Sequence, residues 1–197
     1  MLTFKREKII MKEQIQKAVE VLRKGGVILY PTDTVWGIGC DATNKDAVAK
    51  VFEIKKRSDS KSLVLLANNL DMVCRYVKEI PEMAVQLVEV NDKPMTIIYP
   101  GAMGLAENVV AEDGTVGIRI PMMDFCQQLI SRFGRPIVST SANISGEPTP
   151  KKYAEISEEI KSAVDLVVDP TFEKGATGQA SSIIKVGLDY SIEIIRK

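Results

Sequence analysis

Apolar residues recur along this chain at two spacings, and the switch between them marks out the elements. Ile15, Ala18, Val19 and Leu22 stand three and four apart with Gly25 behind them, which predicts a helix over 12–24. GVILYP (26–31) is a short apolar run closed by proline, a strand feeding a loop. Over 45–56, Ala47, Val48, Val51 and Phe52 share one helical face, and Asn44 is placed to cap it. LVLLA (63–67) is continuous and apolar, the pattern of a buried strand. Residues 70–77 and 82–90 read as helices, the second with Pro81 at its first turn. MTIIYP, TVGIRIP and RPIVSTSAN are three more strands, with a helix over 124–133 stopped by Gly134. A helix is expected from Thr149-Pro150 to about 162, and DLVVDP, SSIIKV and IEIIRK close the chain as strands, the last two joined across GLDYS. Helices alternate with strands throughout, so the class is α/β with a mixed sheet. The Gly-rich loop at 170–180 is no domain boundary, and residues 1–197 are read as one domain.

Composition narrows the chemistry. The chain has 197 residues, and its 26 Lys and Arg balance 26 Asp and Glu. A protein that coats nucleic acid carries an excess of positive charge, so any RNA contact here must be local. There is no histidine. That excludes a Ser-His-Asp triad, a Cys-His pair, an H-E-x-x-H zinc site and a His-held haem. Cys40, Cys74 and Cys126 lie far apart with no C-x-x-C, so they read as reduced, mostly packed thiols. No apolar run approaches the roughly 20 residues of a membrane span. The first residues lack the apolar centre of a signal peptide, so a cytoplasmic location is expected and the Asn143-Ile144-Ser145 sequon carries no meaning.

Several predicted strands end in hydroxyl or cationic residues: YPTDTVWG, KKRSDSKS, TVGIRIP with Arg119, VSTSANISG and GQASS. Ligands of open α/β sheets bind at strand ends, and loops of this composition suit a polyanion held by many hydrogen bonds. Each segment alone has a plainer reading. PTDT is also a turn sequence, the Lys55-Lys56-Arg57-Lys61 cluster is also a solvated helix end, and STSAN is also a hydroxyl-rich turn. Trp36 is a core or rim aromatic without an assigned role. Gly37 to Ala42 fits G-x-G-x-x-A loosely, but the segment reads as extended and no helix opens within it. No G-x-x-x-x-G-K-[ST] occurs, so ATP would bind by a route other than a P-loop.

Taken in order, YPTDTVWGIGCDA, the K-x-R of Lys55-Lys56-Arg57, KSLVLLA, PMTIIYPG, TVGIRIP, the S-x-N of Ser141-Ala142-Asn143 and the terminal IIRK resemble the YrdC family of threonylcarbamoyl-AMP synthases from about Gly25 to Arg196. The resemblance implies a YrdC-like twisted mixed β-sheet flanked by helices around a deep cationic cleft. It implies a nucleotidyltransferase that joins L-threonine, bicarbonate and ATP, with Mg²⁺ held mainly by the ATP phosphates, into threonylcarbamoyl-AMP and pyrophosphate. A downstream threonylcarbamoyl-transferase complex would then modify tRNA adenosine 37, so tRNA contact here is expected to be weak or indirect.

By the same resemblance, Lys55 and Arg57 are the catalytic cations, and Arg57, Lys61, Thr115, Ser141, Asn143, Thr149 and Arg196 hold ATP. Thr34, Leu66, Arg119, Ser139 and Ser181 hold threonine, Arg119 by its carboxylate. Leu66 stands where many members carry a histidine, Ser181-Ser182 replaces Ser-Thr, and the chain ends at Lys197 as the short form of the family. Two other readings stay open: a non-catalytic paralogue that binds nucleotide or RNA, and a carbamoyl-transferring domain of hydrogenase maturation. The second lacks its usual Cys-rich zinc motifs here.

Overall fold

The computed structural model describes residues 2–56 and 63–197. A long helix, α1 (Leu2–Arg23), opens the chain and leads to β1 (Ile28–Tyr30) and β2 (Gly37–Gly39). Next come α2 (Lys45–Ile54), β3 (Val64–Leu66), α3 (Leu70–Cys74), α4 (Glu82–Val90), β4 (Met95–Tyr99) and β5 (Val116–Arg119). The remainder is α5 (Asp124–Phe133), β6 (Ile137–Ser141), α6 (Glu158–Ala163), β7 (Leu166–Val167), β8 (Ser182–Val186) and β9 (Ile192–Arg196).

These nine strands form one mixed sheet in the order β7-β1-β2-β6-β3-β5-β4-β8-β9. The pairs β1–β7, β3–β5 and β4–β8 are parallel and the others antiparallel. Core residues come from both sheet and helices: Ile15, Val19 and Leu22 of α1, Leu65 and Leu66 of β3, Ile118 of β5, and Leu129 and Ile130 of α5 are all buried. Local chemistry sets the boundaries as expected at two points. Asn44 caps α2 by accepting from the Asp46 and Ala47 N–H groups. Gly134 closes α5 at φ 82°, a left-handed conformation that a side chain would disfavour.

Three expectations need correction. Helix α1 begins ten residues before position 12. Its first turns are rich in Lys, Arg and Glu, which favour a helix by propensity, and Met11 extends the apolar face of Ile15 onto the core. The expected helix over 149–162 is two pieces, a single 3₁₀ turn at Tyr153–Glu155 and then α6. Ser157 separates them, because its side chain accepts from the Ile160 N–H and starts a new helix. Helix α3 stops at Cys74, short of 77, and Val77 bridges to Ala102 instead.

Strand β2 lies within the segment read as extended and carries two glycines. Its middle residue, Ile38, faces Leu29 of β1 and Thr140 of β6. A Cβ on Gly39 would overlap the Val138 carbonyl oxygen and lie 2.6 Å from the Tyr30 ring. Gly39→Ala is therefore expected to cost about 1–3 kcal/mol through overpacking. A denaturant midpoint equal to that of the wild type would contradict this.

Candidate active site

A cavity of about 210 Å³ opens where strand ends and loops meet on one face of the sheet. Arg119, the last residue of β5, forms its base, and Ser139 and Ser141 of β6 line it. Thr34 reaches it from the loop between β1 and β2, Thr149 from the loop after β6, and Ser181 from the residue before β8. Arg196 enters from β9 because of a bulge. Ile184 faces Ile194 while Ile183 faces Arg196, so Ile195 is an extra residue. The shift turns Arg196 to the face of Ile183, which through Thr96 is also the face of Arg119. Seven of the residues expected to bind threonine or ATP thus surround one cavity.

The base of the cavity is a buried polar network. Arg119 and Asp33 form an ion pair with side chains 4% and 7% exposed. The same guanidinium donates to Thr34 Oγ1 at 3.2 Å. Asp33 accepts the Met122 N–H with its other oxygen at 3.1 Å. Ser181 shares a hydrogen bond of 2.8 Å with buried Thr96, and its carbonyl accepts from Arg196 Nε at 2.8 Å. The loop at 170–180, which includes a 3₁₀ turn at Pro170–Glu173, is docked onto the site. Thr177 and Gly178 donate their N–H groups to the carbonyls of Asp33 and Thr34. Glu173 accepts from the indole of Trp36 at 2.7 Å and from the Tyr153 N–H at 2.9 Å.

The other expected residues stand outside the cavity wall. Lys55 is buried at the end of α2, and its ammonium donates to the carbonyl oxygens of Ser141 at 2.6 Å and Asn143 at 2.7 Å. It also reaches Asn143 Oδ1 at 3.4 Å, which fastens the loop that presents Ser141. The Asn143 amide donates within that loop to Glu147 at 2.7 Å. Thr115 precedes β5, at the end away from Arg119, and donates to Asp113 at 2.6 Å. The Lys185 ammonium and the Thr115 hydroxyl both favour ionised Asp113 and lower its pKa to about 2. Leu66 is fully buried, opposite Arg119 and on the same face of the sheet. Arg57 and Lys61 lie outside the described residues.

Nucleophilic thiol chemistry does not fit this site. Burial pushes the thiols of Cys40 and Cys126 far above their ordinary range, and Cys126 donates to the Pro31 carbonyl behind the Thr32–Thr34 loop. All three cysteines are free, with Cys40 and Cys126 buried and Cys74 exposed, in keeping with mostly packed thiols. Among the described residues no cluster of three or more His, Cys, Asp or Glu could hold a metal ion. No described helix is long and apolar enough to cross a membrane.

Sequence reasoning overlooked Asp33, Thr32, Thr96, Glu173 and the place of Trp36. Asp33 and Thr32 lie inside the PTDT segment, and an acid just beyond a fully apolar strand was the available signal. The partners of Thr96 and Glu173 are 85 and 137 positions away and left no local trace.

The chain is similar to known proteins in sequence and in fold. The Sua5/YciO/YrdC family model, described as telomere recombination, matches residues 20–197. The chain is 35% identical over 160 residues to threonylcarbamoyl-AMP synthase of Vibrio cholerae, covering 80% of this chain and 85% of the relative. It is 33% identical over 172 residues to the protein of that name from Pseudoalteromonas translucida, covering 86% and 91%. Among solved structures, P. abyssi Sua5 complexed with L-threonine superposes with a TM-score of 0.78 at 28% identity. The match covers 87% of this chain and 50% of that one, so the chain spans about half the length of Sua5. E. coli YciO superposes with a TM-score of 0.78 at 26% identity, covering 93% and 88%.

Proposed function

This chain belongs to the Sua5/YciO/YrdC family, and from that premise we propose that it is a threonylcarbamoyl-AMP synthase. The observation that carries the reading is the convergence of Thr34, Arg119, Ser139 and Ser181 with Ser141, Thr149 and Arg196 around one cavity. The first four form the threonine half, where a planar fork of donors on Arg119 suits a carboxylate. The other three form the nucleotide half, completed by Arg57 and Lys61 on the phosphates.

The chemistry balances without a side-chain base. The threonine amine and bicarbonate give a carbamate and water. A carbamate oxygen then attacks the α-phosphorus of ATP, the bond to the β-phosphate oxygen breaks, and pyrophosphate leaves. The nucleophile is already an anion, so the chain supplies position and charge neutralisation, which dominate transfer at phosphorus. Mg²⁺ arrives with the nucleotide as MgATP and offsets phosphate charge. The site's own carboxylate, Asp33, is engaged by Arg119 and the Met122 N–H. Lys55 acts by holding the loop that carries Ser141 and Asn143. The product passes to a transferase acting on tRNA adenosine 37, so this chain need not grip tRNA, in keeping with a net charge of zero.

Pyrophosphate release from MgATP, with L-threonine and bicarbonate omitted in turn, tests the reading. Release that requires both is expected. Nucleotide binding without such release would favour the non-catalytic paralogue and direct attention to Leu66.

A further inference from the structure

Counting protons around the Thr32 and Thr34 hydroxyls fixes the polarity of the threonine half of the site. Each hydroxyl has one proton to donate and two lone pairs. Thr32 Oγ1 lies 2.7 Å from the Val35 carbonyl oxygen, which can only accept, so the Thr32 proton is spent there. Its lone pairs receive the Thr34 N–H at 3.2 Å and a contact from Thr34 Oγ1 at 2.9 Å. Thr34 must be the donor in that contact, because Thr32 has no second proton. Thr34 Oγ1 then accepts from Arg119 at 3.2 Å and keeps one lone pair. Thr34 lines the cavity, whereas Thr32 is 1% exposed and does not.

We propose that Thr32 is a positioning residue that fixes Thr34 as a pure hydrogen-bond acceptor toward the substrate. The inference rests on the threonine-binding reading above. With the substrate carboxylate on Arg119, the neighbouring donor is the α-nitrogen. That nitrogen carries an N–H both as amine and as carbamate, so one acceptor serves the substrate on both sides of carbamate formation. A hydroxyl free to rotate would offer its own proton to the amine lone pair that must attack carbon. The arrangement selects for a donor next to the carboxylate.

Trp36 is the only tryptophan of the chain and lines the cavity, so its fluorescence reports binding directly. Thr32→Val is expected to weaken L-threonine binding about tenfold, the loss of one hydrogen bond, with MgATP affinity unchanged. Thr32→Ser restores it. In a Thr34→Val background, adding Thr32→Val changes threonine affinity no further, because Thr32 acts only through Thr34. The wild-type protein gives an independent measure. The threonine analogue with hydroxyl in place of the amine should bind about tenfold more tightly than the one with hydrogen there. Additive effects of the two valine variants, or equal binding of the two analogues, would overturn the inference while leaving the synthase reading intact. A wild-type protein with no response to L-threonine would overturn that reading, and this inference with it.

Discussion

Asp33→Ala is expected to destabilise the protein by about 3–5 kcal/mol and to abolish its response to threonine. The carboxylate is one half of a buried ion pair, and removing one partner leaves the largely buried Arg119 charge without its counter-ion. It also strands the Met122 N–H, which donates to its other oxygen. Asparagine does not restore the arrangement. Two N–H donors converge on the carboxylate, and an amide offers one acceptor and turns its own N–H₂ toward the second donor. Changing both partners separates stability from function. A paired Asp33→Leu, Arg119→Met variant removes both charges and is expected to recover most of the lost stability, as apolar replacements of buried pairs often do. It should remain unable to bind threonine, because the fork for the carboxylate is gone. Urea denaturation with Trp36 fluorescence, followed by threonine titration, measures both effects. A loss below about 1 kcal/mol in Asp33→Ala would show that the pair is not the closed, desolvated contact described above.

The contrast between what could and could not be read in the sequence follows from how far apart the interacting residues lie. Strands such as Val64–Leu66 and Met95–Tyr99 announce themselves because the sheet buries them and demands unbroken apolar runs. Gly37–Gly39 carries little side chain to read, and its strand character comes from the neighbours on either side, Tyr30 and Ser141. The break before α6 hangs on one hydroxyl, that of Ser157, competing with helix continuation. At the site, motif order alone indicated Thr34, Arg119, Ser139 and Ser181. It did not reveal that Arg119 would be tied to Asp33, 86 positions earlier, or that the Lys55 ammonium would be aimed at backbone carbonyls. Those contacts arise only when β5 is laid against its neighbours and α2 is brought under the loop after β6. Arg196 is a similar case: its side chain faces the cavity because Ile195 bulges from a pairing that periodicity cannot anticipate.

Arg57→Ala is expected to lower turnover by about 10²–10³ and to leave the denaturation midpoint unchanged, whereas Lys55→Met lowers both. The two residues share the K-x-R segment, but the contacts of Lys55 give it a holding role, and the proposed function gives Arg57 the phosphates. Lys55 is 3% exposed and holds two backbone carbonyls, so its loss strands buried acceptors at about 1.5–3 kcal/mol per charged hydrogen bond and frees the loop bearing Ser141 and Asn143. Arg57, in the role proposed for it, spends its charge on phosphates that carry more negative charge in the transition state. A single donor aimed at developing charge is commonly worth the stated factor. Lys55→Met therefore loses turnover together with MgATP affinity and stability, because the displaced loop no longer presents Ser141 and Asn143, while Arg57→Ala loses turnover alone. Parallel measurements of pyrophosphate release and urea midpoints would separate the two. An Arg57→Ala protein with wild-type turnover would remove Arg57 from the catalytic group and leave the phosphates to Lys61 and Arg196.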